Sequence, residues 1–468
     1  MKRLALAAAL VGVGSAAHAQ TAAPPPAPTP VLWPADPQSK VDFQHAPPSF
    51  EPSPTLHRGG LALSVYGVER LDLRSDSTQS FGDFANNASL DRSGTAFGDT
   101  SQTRFTARNS LYGLKLVAPE TSSVRAHALL EVGAESPDPD APTGWHGLWA
   151  RHAYAAIETP VLDVLVGRTH DLFGWGGHGF FPTTVATLGV PGEIYRQRGQ
   201  VRISHVFRFD PVDFEIAIAS VSQVQSSTNT ADGEIGLRLA VNHWRGAATQ
   251  GAGPPEARPL QVGISTIGRI LQVPPFAAQP EPRTSVDAGG LALDFFVPIY
   301  PAHGDDLSNA LSLAVEASAG SGIADLYPQL TGGVLYPALP NPSATALPTF
   351  TTDIPPRLLS YDAIGDAHTI NWAAWMLNLR YHPPITRGHR LWISGTLSGT
   401  TSNNARLVTP PEGYAGVWTD SFYADANLVV AIWRGLQIAG SHQWTRQSFL
   451  DGARATNARE QFMLAYYF

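Results

Sequence analysis

Cysteine is absent from this 468-residue chain, and methionine occurs only 3 times. Without cysteine there is no disulfide framework, no thiolate metal site and no thiol redox chemistry, so stability must come from hydrogen bonding and packing. Past the N-terminus the sequence has no run of apolar residues long enough for a membrane-spanning helix. A surplus of basic residues is missing too: the formal charge is −8, or about −10 once the two cations Lys2 and Arg3 are set aside, and nothing suggests a nucleic-acid partner. What the chain has instead is 43% hydrophobic residues at a mean hydropathy of −0.08, broken up by 43 Gly and 39 Pro. That mixture is too apolar for disorder and too interrupted for long helices.

The first residues carry an export pattern. Lys2 and Arg3 precede an apolar run over 4–13, and Ala17-His18-Ala19 forms an A-x-A cleavage site, so 1–19 is expected to be a signal peptide. Residues 20–58 are dominated by proline, including Pro24-Pro25-Pro26 and Pro47-Pro48. Such a segment favours extended polyproline II and builds no core, so it is expected to be a periplasmic arm.

From residue 59 onward apolar residues alternate with polar ones in pieces of about ten, the length of a tilted membrane strand. The last piece shows the pattern best: Phe462, Leu464, Tyr466 and Phe468 share one face, while Arg459 and Gln461 lie on the other. Sixteen such pieces can be placed, beginning at 61–74 and ending at 456–468, and fourteen or eighteen remain compatible with the pattern. Tight connections such as Asp210-Pro211 alternate with long ones such as 169–198 and 321–367. Backbone polar groups cannot stay unpaired in lipid, so strands cross it only as a closed barrel. The expected fold is therefore all-β: a transmembrane antiparallel β-barrel over 59–468, with short periplasmic turns, long extracellular loops and the last strand pairing with the first.

The same alternation gives an expected pore lining of Arg70, Asp72, Arg74, Arg108, Arg125, Glu131, Arg151, Arg202, Glu234, Arg238, Arg380, Asp425 and Arg459. Nine arginines against four acids make this set net basic inside an acidic protein. Guanidinium groups crowded into a narrow aqueous lumen raise the local anion concentration and suit carboxylates geometrically. A passive channel for small hydrophilic solutes, favouring anions such as organic carboxylates, is the resulting expectation. Its counter-reading is that the arginines only neutralise acids across the lumen.

The chain resembles the general porin superfamily of Gram-negative outer membranes. The likeness rests on residues 65–74 and 107–115, on Leu165-Val166-Gly167-Arg168-Thr169 and on the terminal Tyr466-Tyr467-Phe468. Among its branches it looks most like the DcaP-like trimeric porins, through Gly-Arg-Thr, a long loop, then Arg196-Gln197-Arg198-Gly199-Gln200-Val201-Arg202. It departs from them at the N-terminus, where they carry a helical coiled-coil segment and this chain has proline. The resemblance implies a homotrimer in outer-membrane lipid, and Tyr466 and Phe468 as a C-terminal signal for the barrel assembly machinery. It also implies a third external loop folded into the lumen as a constriction, here offering His170, Asp171, Trp175, His178, Glu193, Arg196 and Arg198.

No enzyme is expected. The pairs His146 with His152 and His170 with His178 have neither strand nor helix spacing for a shared metal, and there is no G-x-S-x-G elbow. His152 and Ser441-His442 are expected in the lipid belt or its girdles, and no cofactor or metal is called for. An outer-membrane barrel hydrolase and a secreted or periplasmic β-rich binding module stand as the alternative classes.

Overall fold

A chain whose apolar residues recur with period two can bury or expose one whole face at a time, and antiparallel pairing of many such segments is what forms here. The computed structural model describes residues 53–119, 124–133, 149–174, 189–225, 230–249, 255–273, 284–304, 306–336, 353–364, 366–385, 390–433 and 435–468. Residues 1–52, which hold the expected signal peptide and most of the expected proline arm, lie outside these residues. In chain order the strands are β1 Thr55–Arg58, β2 Leu61–Asp76, β3 Gln102–Thr106, β4 Leu111–Val117, β5 Arg125–Gly133, β6 Trp149–Glu158 and β7 Asp163–His170. Then follow β8 Gln197–Phe209, β9 Val212–Val221, β10 Asp232–Ala248, β11 Glu256–Val273, β12 Thr284–Tyr300 and β13 Leu311–Ser321. The chain ends with β14 Leu359–Tyr361, β15 Ala367–Thr369, β16 Asn371–Tyr381, β17 Leu391–Thr401, β18 Trp418–Trp433, β19 Leu436–Phe449 and β20 Arg454–Tyr467.

Among the described residues these strands make a closed wall of 16 antiparallel staves. Neighbours in sequence pair all the way round, and β20 closes the ring by pairing with β2, Leu464 opposite Leu71 and Arg459 opposite Asp76. β3 and β4 pair with the two halves of β2 and count as one interrupted stave. β14 and β15 form a small sheet of their own. The sheet also takes in Thr55–Arg58, which pairs with Leu61–Ser64, so pairing begins before residue 59.

Outward and inward faces follow the alternation. On β20 Phe462, Leu464 and Tyr466 are 39–50% exposed, while Met463 and Ala465 are at most 1% exposed. One local device breaks the rule. At β5–β6 the register passes from Glu131 opposite His152 to Val132 opposite Ala150, leaving Arg151 as a bulge residue. Arg151 and His152 therefore both turn inward, and every later residue of β6 is shifted by one face. This corrects one expectation, since His152 is an interior residue and not a belt residue, and it buries Ala156, which simple alternation from Arg151 would put outside. On β19 the expectation divides, because Ser441 is buried whereas His442 faces out and meets Glu460 at 2.6 Å.

Long connections lie at one end of the wall and short ones at the other. At the long-loop end the largest apolar cluster joins wall residues such as Leu271, Trp372 and Trp418 to loop residues Phe81, Leu90, Val190, Ile194, Leu330 and Val408. Loops that bury such side chains against the inner wall cannot simply be waving outside it.

Candidate functional site in the barrel interior

The connection from β7 to β8 is anchored at its first step. The N–H groups of Leu172 and Phe173 donate to Glu234 Oε2 on β10 at 2.7 and 3.1 Å, and Gly174 N–H donates to Ser265 Oγ on β11 at 2.9 Å. Leu172 and Phe173 are fully buried. Arg198, at the start of β8, holds the same anchor from the other limb, bonding Asp171 at 2.7 Å, Glu234 at 2.8 Å and Asp232. Arg269 on β11 continues the network from Asp232 to Asp325 at 2.6 Å. Burial works against the charge of Asp325, but the Arg269 guanidinium outweighs it and holds that carboxyl below the usual range.

The returning limb sits against the far wall. Ser398 Oγ on β17 donates to the Pro191 carbonyl, and Ile194 N–H donates to Glu316 Oε1 on β13 at 2.6 Å. Gly192 has φ +85°, and a Cβ there would stand 3.0 Å from the Trp375 carbonyl of β16 and 3.2 Å from that of Gly399 on β17. β17 stands as far from β7 going round through β12 as going through β2, so the returning limb meets the wall on the side opposite the strand the loop leaves from, while the outgoing limb is anchored between the two, on β10 and β11. Tyr195 then meets Arg151 and Leu326 on the way back, its N–H donating to the Leu326 carbonyl at 2.9 Å.

Glu193 is buried on that limb, its Oε2 taking the Val190 N–H at 2.9 Å. Burial pushes its carboxyl up from 4.5 to about 8, with Asp294 adding to the rise and the Val190 hydrogen bond opposing it. The docked limb is therefore favoured at acid pH and loses that advantage as pH rises from about 4.5 to about 8. Amide exchange at Ile194 and Tyr195, corrected for the chemical rate, should lose protection over this window. In Glu193→Gln the change should shrink most at Tyr195, whose N–H bonds the Leu326 carbonyl, since the Ile194 N–H still bonds the Glu316 carboxylate.

Of the expected pore lining, Arg70, Asp72, Arg74, Glu131, Arg151, Arg202, Glu234, Arg238, Arg380, Asp425 and Arg459 are buried on the inner side. Arg125 is half-buried at the start of β5, and Arg108 lies half-buried in the break between β3 and β4. Of the loop set, His170, Asp171, Glu193, Arg196 and Arg198 are buried, and Trp175 and His178 lie outside the described residues. The nine-to-four charge count does not survive. Asp76, Asp83, Glu158, Asp163, Asp213, Glu215, Asp232, Asp294, Glu316 and Asp325 are buried acids beyond the expected set, against added buried arginines Arg269 and Arg357. Alternation could have found several of them: Leu291, Leu293, Phe295 and Val297 point one way, so Asp294 points the other. The arginines are largely paired, as in Arg70 with Asp72 at 2.8 Å, Arg238 with Glu215 at 2.5 Å and Arg459 with Asp76 at 2.8 Å.

No protein-family model matches this chain, and no curated protein sequence does. Solved structures do match. The outer membrane channel DcaP of Acinetobacter baumannii superposes with a TM-score of 0.58 at 15% identity, covering 89% of this chain and 100% of that one. OprB of Pseudomonas putida gives 0.49 at 10% identity over 86% and 94%, and an anion-selective porin from Comamonas acidovorans gives 0.47 at 10% identity over 87% and 100%. At these identities the DcaP match carries the fold: this chain has the fold of an outer-membrane channel, as its sequence pattern implied.

Proposed function

We propose that this chain is an outer-membrane porin, a passive diffusion channel for small hydrophilic solutes whose eyelet is built by the two described limbs of the β7–β8 connection, 171–174 and 189–196. The observation that carries this reading is the loop itself, which starts from β7, docks on β16 and β17 across the barrel and returns to β8. A segment strung across a barrel narrows its cross-section to the gaps on either side, which is what a constriction must do. Export by the leader, residence in outer-membrane lipid, recognition of Tyr466 and Phe468 by the assembly machinery and a homotrimeric state belong to the same proposal.

Because guanidinium groups and carboxylates are interleaved inside the wall, the field of a paired arginine is largely cancelled within a few ångströms. Weak charge selectivity follows. A second reading, preference for small anions such as organic carboxylates, is favoured by Arg202, whose hydrogen bonds go to the neutral acceptors Gln200 Oε1 at 3.0 Å and the His170 carbonyl at 2.7 Å. In planar bilayers under a KCl gradient the first reading expects a reversal potential near zero, and the second expects anion preference that Arg202→Gln reduces. Gly192→Val should lift the returning limb from the wall and raise single-channel conductance on the order of twofold. Unchanged conductance with a freed loop would falsify the eyelet assignment.

A further inference from the structure

The loop from β2 to β3 has no part in the eyelet described so far, yet its first half also lies inside the wall. Arg74 of β2 donates to the Gly82 carbonyl and to Asp83. Arg459 of β20 donates to the same carbonyl at 2.9 Å and lies over the Phe81 ring, 5.6 Å from its centroid. Arg108 meets the other oxygen of Asp83 at 2.9 Å. Three guanidinium groups thus close on one loop tip. Arg459 is itself held by Asp76 through bonds of 2.8 and 3.0 Å, so its planar fork is oriented before it grips.

Beyond the tip the segment runs into the eyelet loop. Phe84 packs against Tyr195. Asn87, fully buried, accepts the Gly192 N–H at 3.2 Å and the Thr400 hydroxyl at 3.3 Å with its Oδ1. Its backbone N–H and its Nδ2 both donate to the Pro328 carbonyl, at 3.0 and 2.9 Å. One side chain therefore ties together three loops and the β17 wall, and Leu90 N–H then reaches Gln447 Oε1 on β19 at 2.7 Å.

We propose that residues 77–91 are the second jaw of the constriction, held inward by the clamp of Arg74, Arg108 and Arg459 on Gly82 and Asp83. The proposal rests on the channel reading above and deepens it: these arginines serve to fix the aperture, not to attract solute. A buried carboxylate that receives two guanidinium groups is the weak point of such a clamp, because reversing its charge leaves cations crowded together with nothing between them.

The chain has no cysteine, so introduced thiols can be addressed singly. Asn87→Cys with Thr400→Cys should join in high yield with a short thiol crosslinker in the detergent-folded protein. Asp83→Arg should at least double single-channel conductance, the crosslink in that background should return it to the wild-type value, and cleaving the crosslinker should restore the increase. If Asp83→Arg does not fold, Asp83→Asn should give a smaller rise with the same dependence on the crosslink. A poor crosslink, or an efficient one with conductance indifferent to both changes, overturns the second jaw. Wild-type protein that forms no channels overturns the channel reading instead, and the crosslink yield then still reports separately whether 77–91 lies against β17.

Discussion

Replacing Arg198 with leucine is expected to cost about 3–5 kcal/mol of folded-state stability and to release the eyelet loop at its root. The reason is the number of partners. Arg198 is buried among Asp171, Asp232 and Glu234 and bonds all three, while Asp232 is also paired with the Arg269 guanidinium. Glu234 is at the same time the acceptor for the first two loop N–H groups, so an uncompensated charge there disturbs the loop backbone directly. By contrast the pair of Arg92 with Asp451 joins side chains that are 26% and 31% exposed, and its loss should cost less than about 1 kcal/mol. The temperature at which the compact, fast-migrating form unfolds in gels should fall clearly for Arg198→Leu and hardly for Arg92→Ala. Adding Glu234→Gln to Arg198→Leu should recover part of the loss by removing one buried charge. Equal unfolding temperatures for the two single variants would sink the account of the anchor.

How much of this was written in the sequence depends on which interaction is asked about. Faces of strands are set by alternation, a local property, and so the wall, its closure through 61–74 and 456–468 and the inward position of Arg70, Asp72, Arg74 and Arg459 could be read from the chain. The β6 bulge could not. Nothing in Trp149–Glu158 marks Arg151 as the extra residue, because a bulge is a compromise between two strands and is visible only when both are paired. An inward-folded loop after β7 is what the resemblance to porins implies, whereas its landing place on β16 and β17 has no counterpart in the pattern of strands. Gly192 carries a hint, since a backbone pressed against a wall needs a residue without Cβ, but many glycines in this chain answer other demands. Charge pairing was least legible. The sequence lists the arginines and leaves open whether acids neutralise them, because several of the partners come from another strand or loop, as Asp83 comes to Arg74 and Arg108. The inward turn of 77–91 leaves no pattern at all, because it depends on Asn87 meeting Gly192, Pro328 and Thr400, all more than a hundred residues away.

The closing seam leads to the other large expected effect, failure of Gly67→Val to assemble. Gly67 and Phe468 exchange backbone hydrogen bonds of 3.0 and 3.1 Å, so the C-terminal residue is the last rung that shuts the wall. A Cβ on Gly67 would stand 2.7 Å from the Leu111 carbonyl on one side and 2.8 Å from the Phe468 ring on the other. The first obstacle is backbone of the neighbouring stave and cannot swing away, so valine forces β4 and the terminus apart together. Phe468→Asp differs in kind, because it leaves the rung in place and removes the ring that stacks on Tyr466 at 6.4 Å. A charge exchanged for an aromatic at the membrane interface costs about 0–1 kcal/mol, too little to unfold a closed barrel. If Phe468 acts only by closing the wall, Phe468→Asp should refold in detergent nearly as well as wild type, while Gly67→Val yields less than about a tenth of the compact form. If it also serves as the assembly signal, Phe468→Asp should refold normally in detergent yet reach the membrane poorly in cells. Gly67→Ala with Phe468→Ala removes the ring clash and keeps the clash with Leu111, so partial recovery in detergent would measure how much of the barrier lies on each side of the seam.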